Sequence, residues 1–141
     1  MQIFVPYSSP IKVAKCLDKR RLNKQIIECR QILKAINGET NAWKNHPVVK
    51  MYSSENNKKW LLNYMECLEA WKEGNIEQSN YYTFLADTNK PLFLTEEFCN
   101  QHKRRLYSKS PKLYQQFAKY GKSDENWYII NNELKIFKQN K

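Results

Sequence analysis

Glu28 is a carboxylate placed where cations dominate. In a helical pattern its neighbours at i−7, i−4, i−3 and i+3 are Arg21, Lys24, Gln25 and Gln31. At about 100° per residue it lies off the apolar stripe of Leu22, Ile26, Cys29, Leu33 and Ile36, so it faces solvent or a cleft. One reading is an i−4 ion pair with Lys24, which contributes only about 0.2–0.5 kcal/mol. The other is an acid–base carboxylate kept ionised by the surrounding cations. Spacing alone leaves both open.

Two further clusters could meet a nucleic acid. Trp43-Lys44-Asn45-His46-Pro47 joins an aromatic ring, a cation and hydrogen-bonding side chains ahead of a helix start. That set suits a phosphate backbone or a displaced base, although Trp43 in the core and His46 at the helix start is an equally good reading. Residues 101–122 hold seven cations and no acid, interleaved with Tyr107, Tyr114 and Tyr120. Cations there would neutralise phosphates while tyrosines stack on bases, with Leu106, Tyr107 and Phe117 left for the core. Paired metal-binding carboxylates, a P-loop, a GxSxG elbow and a zinc-deaminase signature are all missing from the sequence, so the expected chemistry uses no metal and no cofactor.

Composition agrees with a polyanionic partner. Twenty-four Lys and Arg against fourteen Asp and Glu give a net charge of +10, and the charge is segregated. Residues 12–34 carry eight cations against Asp18 and Glu28, whereas residues 66–97 carry seven acids against Lys72 and Lys90. A generally Lys-rich surface is the plainer alternative, but mere solubility does not require charges sorted in this way. Cys16, Cys29, Cys67 and Cys99 are scattered, which points to reduced thiols in an intracellular, cytoplasmic protein, encoded by a cell or by a virus. No apolar run reaches the roughly 20 residues of a membrane helix. The expected partner is double-stranded DNA, with no membrane, and a monomer is expected.

The elements that must position these residues read as mainly α, in a single domain spanning 1–141. Met1 to Tyr7 form an extended lead-in. Ser9-Pro10 starts a helix that runs to Asn37-Gly38, with a break near Asp18. A second helical stretch covers Pro47 to Glu73, interrupted near residues 53–57 and stopped by Gly74. A short helix is expected over Glu77–Leu85, then a loop at 86–91. Thr95 starts another helix reaching about Tyr107, and Ser110-Pro111 one more to Tyr120-Gly121. The tail from Trp127 alternates in apolar character, which fits a short strand pair or irregular structure.

Three stretches together resemble a known family. Cys16-Leu17-Asp18-Lys19-Arg20-Arg21-Leu22 with Ile27-Glu28, then Trp43, His46-Pro47 and Met51-Tyr52 running on to Gly74, then Ser110-Pro111, Tyr114 and Lys119-Tyr120-Gly121-Lys122 are similar to the pyrimidine-dimer DNA glycosylases of the endonuclease V type. These occur in bacteriophages and in bacterial relatives. The resemblance implies a compact, mostly helical fold whose first residues lie near the first long helix, acting on duplex DNA without metal. It implies the N-terminal α-amine as nucleophile at C1′, an iminium intermediate, β-elimination, and Glu28 as the carboxylate that stabilises the cationic sugar. An α-amine titrates at about 7.7–8.0 as a class, so a useful fraction is unprotonated near neutrality.

The catalytic residues are then Glu28 with Met1 or Gln2. Gln2 is bulkier than the small residue the phage members carry there, which leaves Met1 as the amine, Gln2 after unusual processing, or a chain without the lyase step. Ile27 replaces an Arg, so the phosphate contacts fall to Arg20, Arg21, Lys24 and Arg30. Lys44, His46, His102, Lys103, Arg104, Arg105, Lys112, Lys119, Tyr120 and Lys122 complete the expected DNA surface. The rival expectation is a non-catalytic basic DNA-binding module on the same scaffold.

Overall fold

The structure is a computed structural model that describes residues 1–74 and 89–138. The expected Glu77–Leu85 helix and the first half of the 86–91 loop lie outside the described residues. Helices α1 (Pro10–Cys16) and α2 (Lys19–Ile36) divide at Leu17-Asp18. Asp18 causes the division, because its carboxylate caps α2 by accepting from the Arg21 amide at 3.4 Å. Helices α3 (Pro47–Met51) and α4 (Glu55–Glu73) divide where Ser54 caps the second of them. Gly74 then ends α4 at φ +72°. Helix α5 (Glu96–Lys109) is capped by Thr95 and runs two residues beyond its expected end.

The core forms where α1 and α2 pack on α4. Leu22, Ile26, Cys29 and Ile32 of α2 meet Trp60, Leu61, Tyr64 and Leu68 of α4, all buried. Each such side chain contributes about 1.5–3 kcal/mol of burial. The extended segment Ile3-Phe4-Val5 runs through this core, also buried.

The helix expected from Ser110-Pro111 is instead a turn followed by a 3-10 helix, Gln115–Tyr120. Its aromatic residues explain the difference. Tyr114, Phe117 and Tyr120 recur every three residues, the period at which 3-10 side chains eclipse. The Tyr114 and Phe117 rings stack at 6.2 Å and 3°. Strands β1 (Glu125–Ile130) and β2 (Glu133–Lys138) pair antiparallel, with Tyr128 opposite Lys135. They are joined by Asn131 and Asn132 at φ +52° and +63°, the left-handed pair that a tight hairpin turn needs and that Asn accepts. The pair begins at Glu125, two residues before its expected start.

Candidate active site

The first residues of the chain are held against α2 by one side chain. Gln25 is 1% exposed. Its Oε1 accepts from the Phe4 amide at 2.9 Å, and its Nε2 donates to the Gln2 carbonyl at 3.1 Å. The same Nε2 donates to Glu28 Oε2 at 3.1 Å. Two other groups pin the segment: the Tyr64 hydroxyl donates to the Phe4 carbonyl at 2.6 Å, and the Val5 amide donates to His102 Nδ1 at 2.6 Å. Gln25 shares the Leu22–Cys29 face, and a polar residue in an otherwise apolar stripe is the signal that could have revealed it.

Met1, Gln2, Phe4, Lys24, Glu28, Arg105, Lys109 and Asn126 together line a pocket of about 110 Å³. Glu28 therefore faces a cleft rather than bulk solvent. Burial raises its carboxyl above the usual range, while Lys24, the N-terminal amine, the Gln2 amide and Lys109 pull it back. Lys24 does this at longer range, since no Lys24–Glu28 ion pair forms within 4.0 Å among the described residues. Burial also lowers Lys109, with Arg105, Lys24 and Arg21 adding repulsion and Glu28 opposing it. Arg105 is lowered chiefly by burial, against Asp124 and Tyr128. It is held by Asn126 Oδ1 at 3.0 Å and the Ser123 carbonyl at 3.1 Å. Lys109 and Asn126, absent from the expected site, are brought in by α5 and β1.

His46 caps α3, accepting from the Val48 amide at 3.1 Å. Burial and then the nearby N-terminal charge lower its pKa. Its ring lies 5.8 Å from Tyr128, whose hydroxyl donates to the Met1 carbonyl at 3.4 Å. Trp43 is not a core residue: it is 49% exposed and meets His46 edge to face at 5.9 Å.

Within residues 1–73 lie the N-terminal segment, Gln25, Glu28 and His46, and these residues match the family model of pyrimidine dimer DNA glycosylases. The chain belongs to this family. No curated protein and no solved structure matches it. The matched span supplies Met1, Gln2, Lys24 and Glu28 of this glycosylase-family pocket, while Arg105, Lys109 and Asn126 come from outside it.

Several expected DNA contacts of this glycosylase-family chain are placed elsewhere. His102 is 1% exposed and anchors Val5, so its ring links α5 to the N-terminal segment instead of facing DNA. Burial and Arg105 lower it to about 3, which keeps it neutral. Lys103 is also buried, its ammonium lying 4.9 Å from the Tyr7 ring centre and 4.7 Å from that of Tyr120. Such a cage satisfies a cation away from phosphates.

Arg104 Nε donates to the Tyr120 carbonyl at 3.0 Å, and its guanidinium pairs with Glu97 at 3.4 Å. Arg30 pairs with Glu69 of α4 at 3.3 Å. Arg21 bonds Asp18 and Ser110 at 3.1 Å each, while Asp18 also accepts from the Tyr114 hydroxyl. Arg20, Lys24, Lys44, Lys112, Lys119 and Lys122 are exposed. Among the described residues no group of three or more His, Cys, Asp or Glu side chains converges, and no helix is long and apolar enough to cross a membrane.

Proposed function

We propose that this chain is a DNA glycosylase with AP-lyase activity, excising pyrimidine dimers or another modified base from duplex DNA through an N-terminal-amine Schiff base. The observation that carries this is the shared pocket of the first two residues and Glu28, with cations on its wall. In this reading the unprotonated α-amine attacks C1′, the amine–C1′ bond forms, and the glycosidic bond breaks with the base leaving. The sugar ring opens to an iminium as O4′ takes a proton. Loss of a C2′ proton then expels the 3′ phosphate.

Glu28 stabilises positive charge at C1′ and accepts protons. Lys24, Arg105 and Lys109 offset the charge of the flanking phosphates, so that one carboxylate can stand beside a polyanion. Met1 carries the amine as the chain stands. If Met1 is removed, the amine of Gln2 takes over at the position whose amide already meets Glu28.

Borohydride trapping on duplexes carrying an abasic site or a pyrimidine dimer, with mass spectrometry of the adduct, tests this. An adduct on the first residue that is lost when residues are appended before Met1 is the expected result. DNA binding with no adduct on either duplex overturns it and leaves a non-catalytic binding module.

A further inference from the structure

Two buried nitrogens meet at one internal cavity. Gln2 is 9% exposed and His102 is 1% exposed, and both line a cavity of about 10 Å³. Nε2 of each is buried and has no hydrogen-bond partner among the described residues. Buried polar nitrogens are rarely left so, because a donor taken out of water without a partner costs free energy.

Both nitrogens are donors. His102 Nδ1 accepts from the Val5 amide at 2.6 Å. Burial and Arg105 keep the ring neutral, its pKa lowered to about 3, so its one N–H proton sits on Nε2. The amide nitrogen of Gln2 likewise only donates. Two donors do not satisfy each other, and the Ile3, Val48 and Phe98 side chains on the cavity wall offer no acceptor. What fits is a small neutral ligand with two lone pairs. The cavity is at the lower limit of the roughly 10–15 Å³ that one water molecule needs.

We propose that Gln2 is a positioning residue for the terminal amine, anchored to His102 through one internal water molecule that accepts from both Nε2 atoms. The positioning role deepens the glycosylase reading and rests on it. The Gln2 backbone is tied to α2, its carbonyl accepting from Gln25 Nε2 at 3.1 Å and its amide meeting Glu28. His102 belongs to α5. The water therefore holds the residue next to the amine from a second helix, which limits the orientations in which the amine meets a sugar beside Glu28.

A crystal structure of the full chain tests the water site without any variant. A water within about 2.7–3.2 Å of both Nε2 atoms is the expected result. A dry cavity overturns the site, and so does a Gln2 amide turned over so that Oε1 bonds His102 directly.

Gln2→Met tests the role, because Met keeps the length and burial of the side chain and removes its donor. The single-turnover rate of borohydride trapping on an abasic duplex should fall about tenfold or more, since a misplacement of about 1 Å can cost about a hundredfold. Affinity for that duplex, by fluorescence anisotropy, should stay unchanged, because the Gln2 side chain is turned inward. A wild-type trapping rate overturns the positioning role even where Tm falls, as that pattern belongs to a group that only stabilises the fold.

The glycosylase reading fails separately, by the absence of a borohydride adduct in the wild type. The positioning role then falls with it, while the water site stands or falls on the crystal structure. An adduct together with a dry cavity keeps the enzyme and removes the anchor.

Discussion

Gln25 and Glu28, one helical turn apart on α2, are joined by a 3.1 Å hydrogen bond from the amide Nε2 to the carboxylate Oε2. The same amide group holds the Gln2 carbonyl at 3.1 Å. One buried side chain thus sets the distance between the start of the chain and the Glu28 carboxylate. Its dipole also favours the ionised form of Glu28, against the burial that opposes it.

Replacing Gln25 by Glu should therefore move a pH profile and not merely stability. The Phe4 amide still finds an acceptor, while the atom facing Glu28 changes from donor to acceptor and adds negative charge. The carboxyl of Glu28 should rise further, shifting the acid limb of Schiff-base formation to higher pH and lowering the single-turnover rate at pH 6 by about tenfold or more. Single-turnover trapping between pH 5 and 8 measures this. A role confined to folding would lower Tm and leave the limb where it is.

Glu28→Gln should abolish turnover, with a loss of about a hundredfold or more if the carboxylate serves as general base, while DNA binding holds or tightens. Its stability effect has the opposite sign. Burial raises the folded pKa of Glu28 above its ordinary 4.5, so the stability linked to its neutral form is present below that value and is lost as pH rises through the folded pKa. The variant should therefore be at least as stable as wild type at pH 7, with the advantage vanishing at pH 4. Urea titrations at the two pH values check it.

Acid sensitivity should come in two windows. His102 is held neutral, lowered from 6.5 to about 3 by burial and Arg105, so the stability it contributes is present above 6.5 and declines as pH falls toward 3. For Asp18, burial pushes upward but is outweighed by hydrogen bonds from Tyr114 and Arg21, leaving its pKa below 3.8. Its contribution is lost only at lower pH. His102→Asn, which keeps an acceptor for the Val5 amide, should flatten the decline between pH 6.5 and 4 in chemical denaturation. His102→Leu should cost about 1–3 kcal/mol at pH 7 by leaving that buried amide unpaired.

Lys109 and Arg105 lie one turn apart on α5 and differ in what they also hold. Lys109 is the more exposed of the two, so Lys109→Gln should change Tm little and reduce the slope of log K against log salt by about 1. Arg105→Gln should weaken DNA binding and also destabilise the fold, because Asn126 and the Ser123 carbonyl lose their donor. Binding isotherms at several salt concentrations, alongside thermal melts, separate the two.

The sequence by itself determined the features that depend on neighbours along the chain. The break near Asp18, the interruption near residues 53–57, the start at Thr95, the stop at Gly74 and the stripe from Leu22 to Ile36 placed the helices, because capping and helical period are set within a few residues. The charge around Glu28 marked the carboxylate for the same reason. Only the tertiary structure decided which cations face it. Arg30 and Arg104 go to acids, Lys103 goes to tyrosines and His102 to a backbone amide, while Lys109 and Asn126 join the pocket from positions 81 and 98 residues beyond Glu28 in the chain. A basic residue carries the same charge wherever it lies in the sequence. Whether it meets a phosphate or a protein partner depends on packing between distant elements, and no local spacing records that.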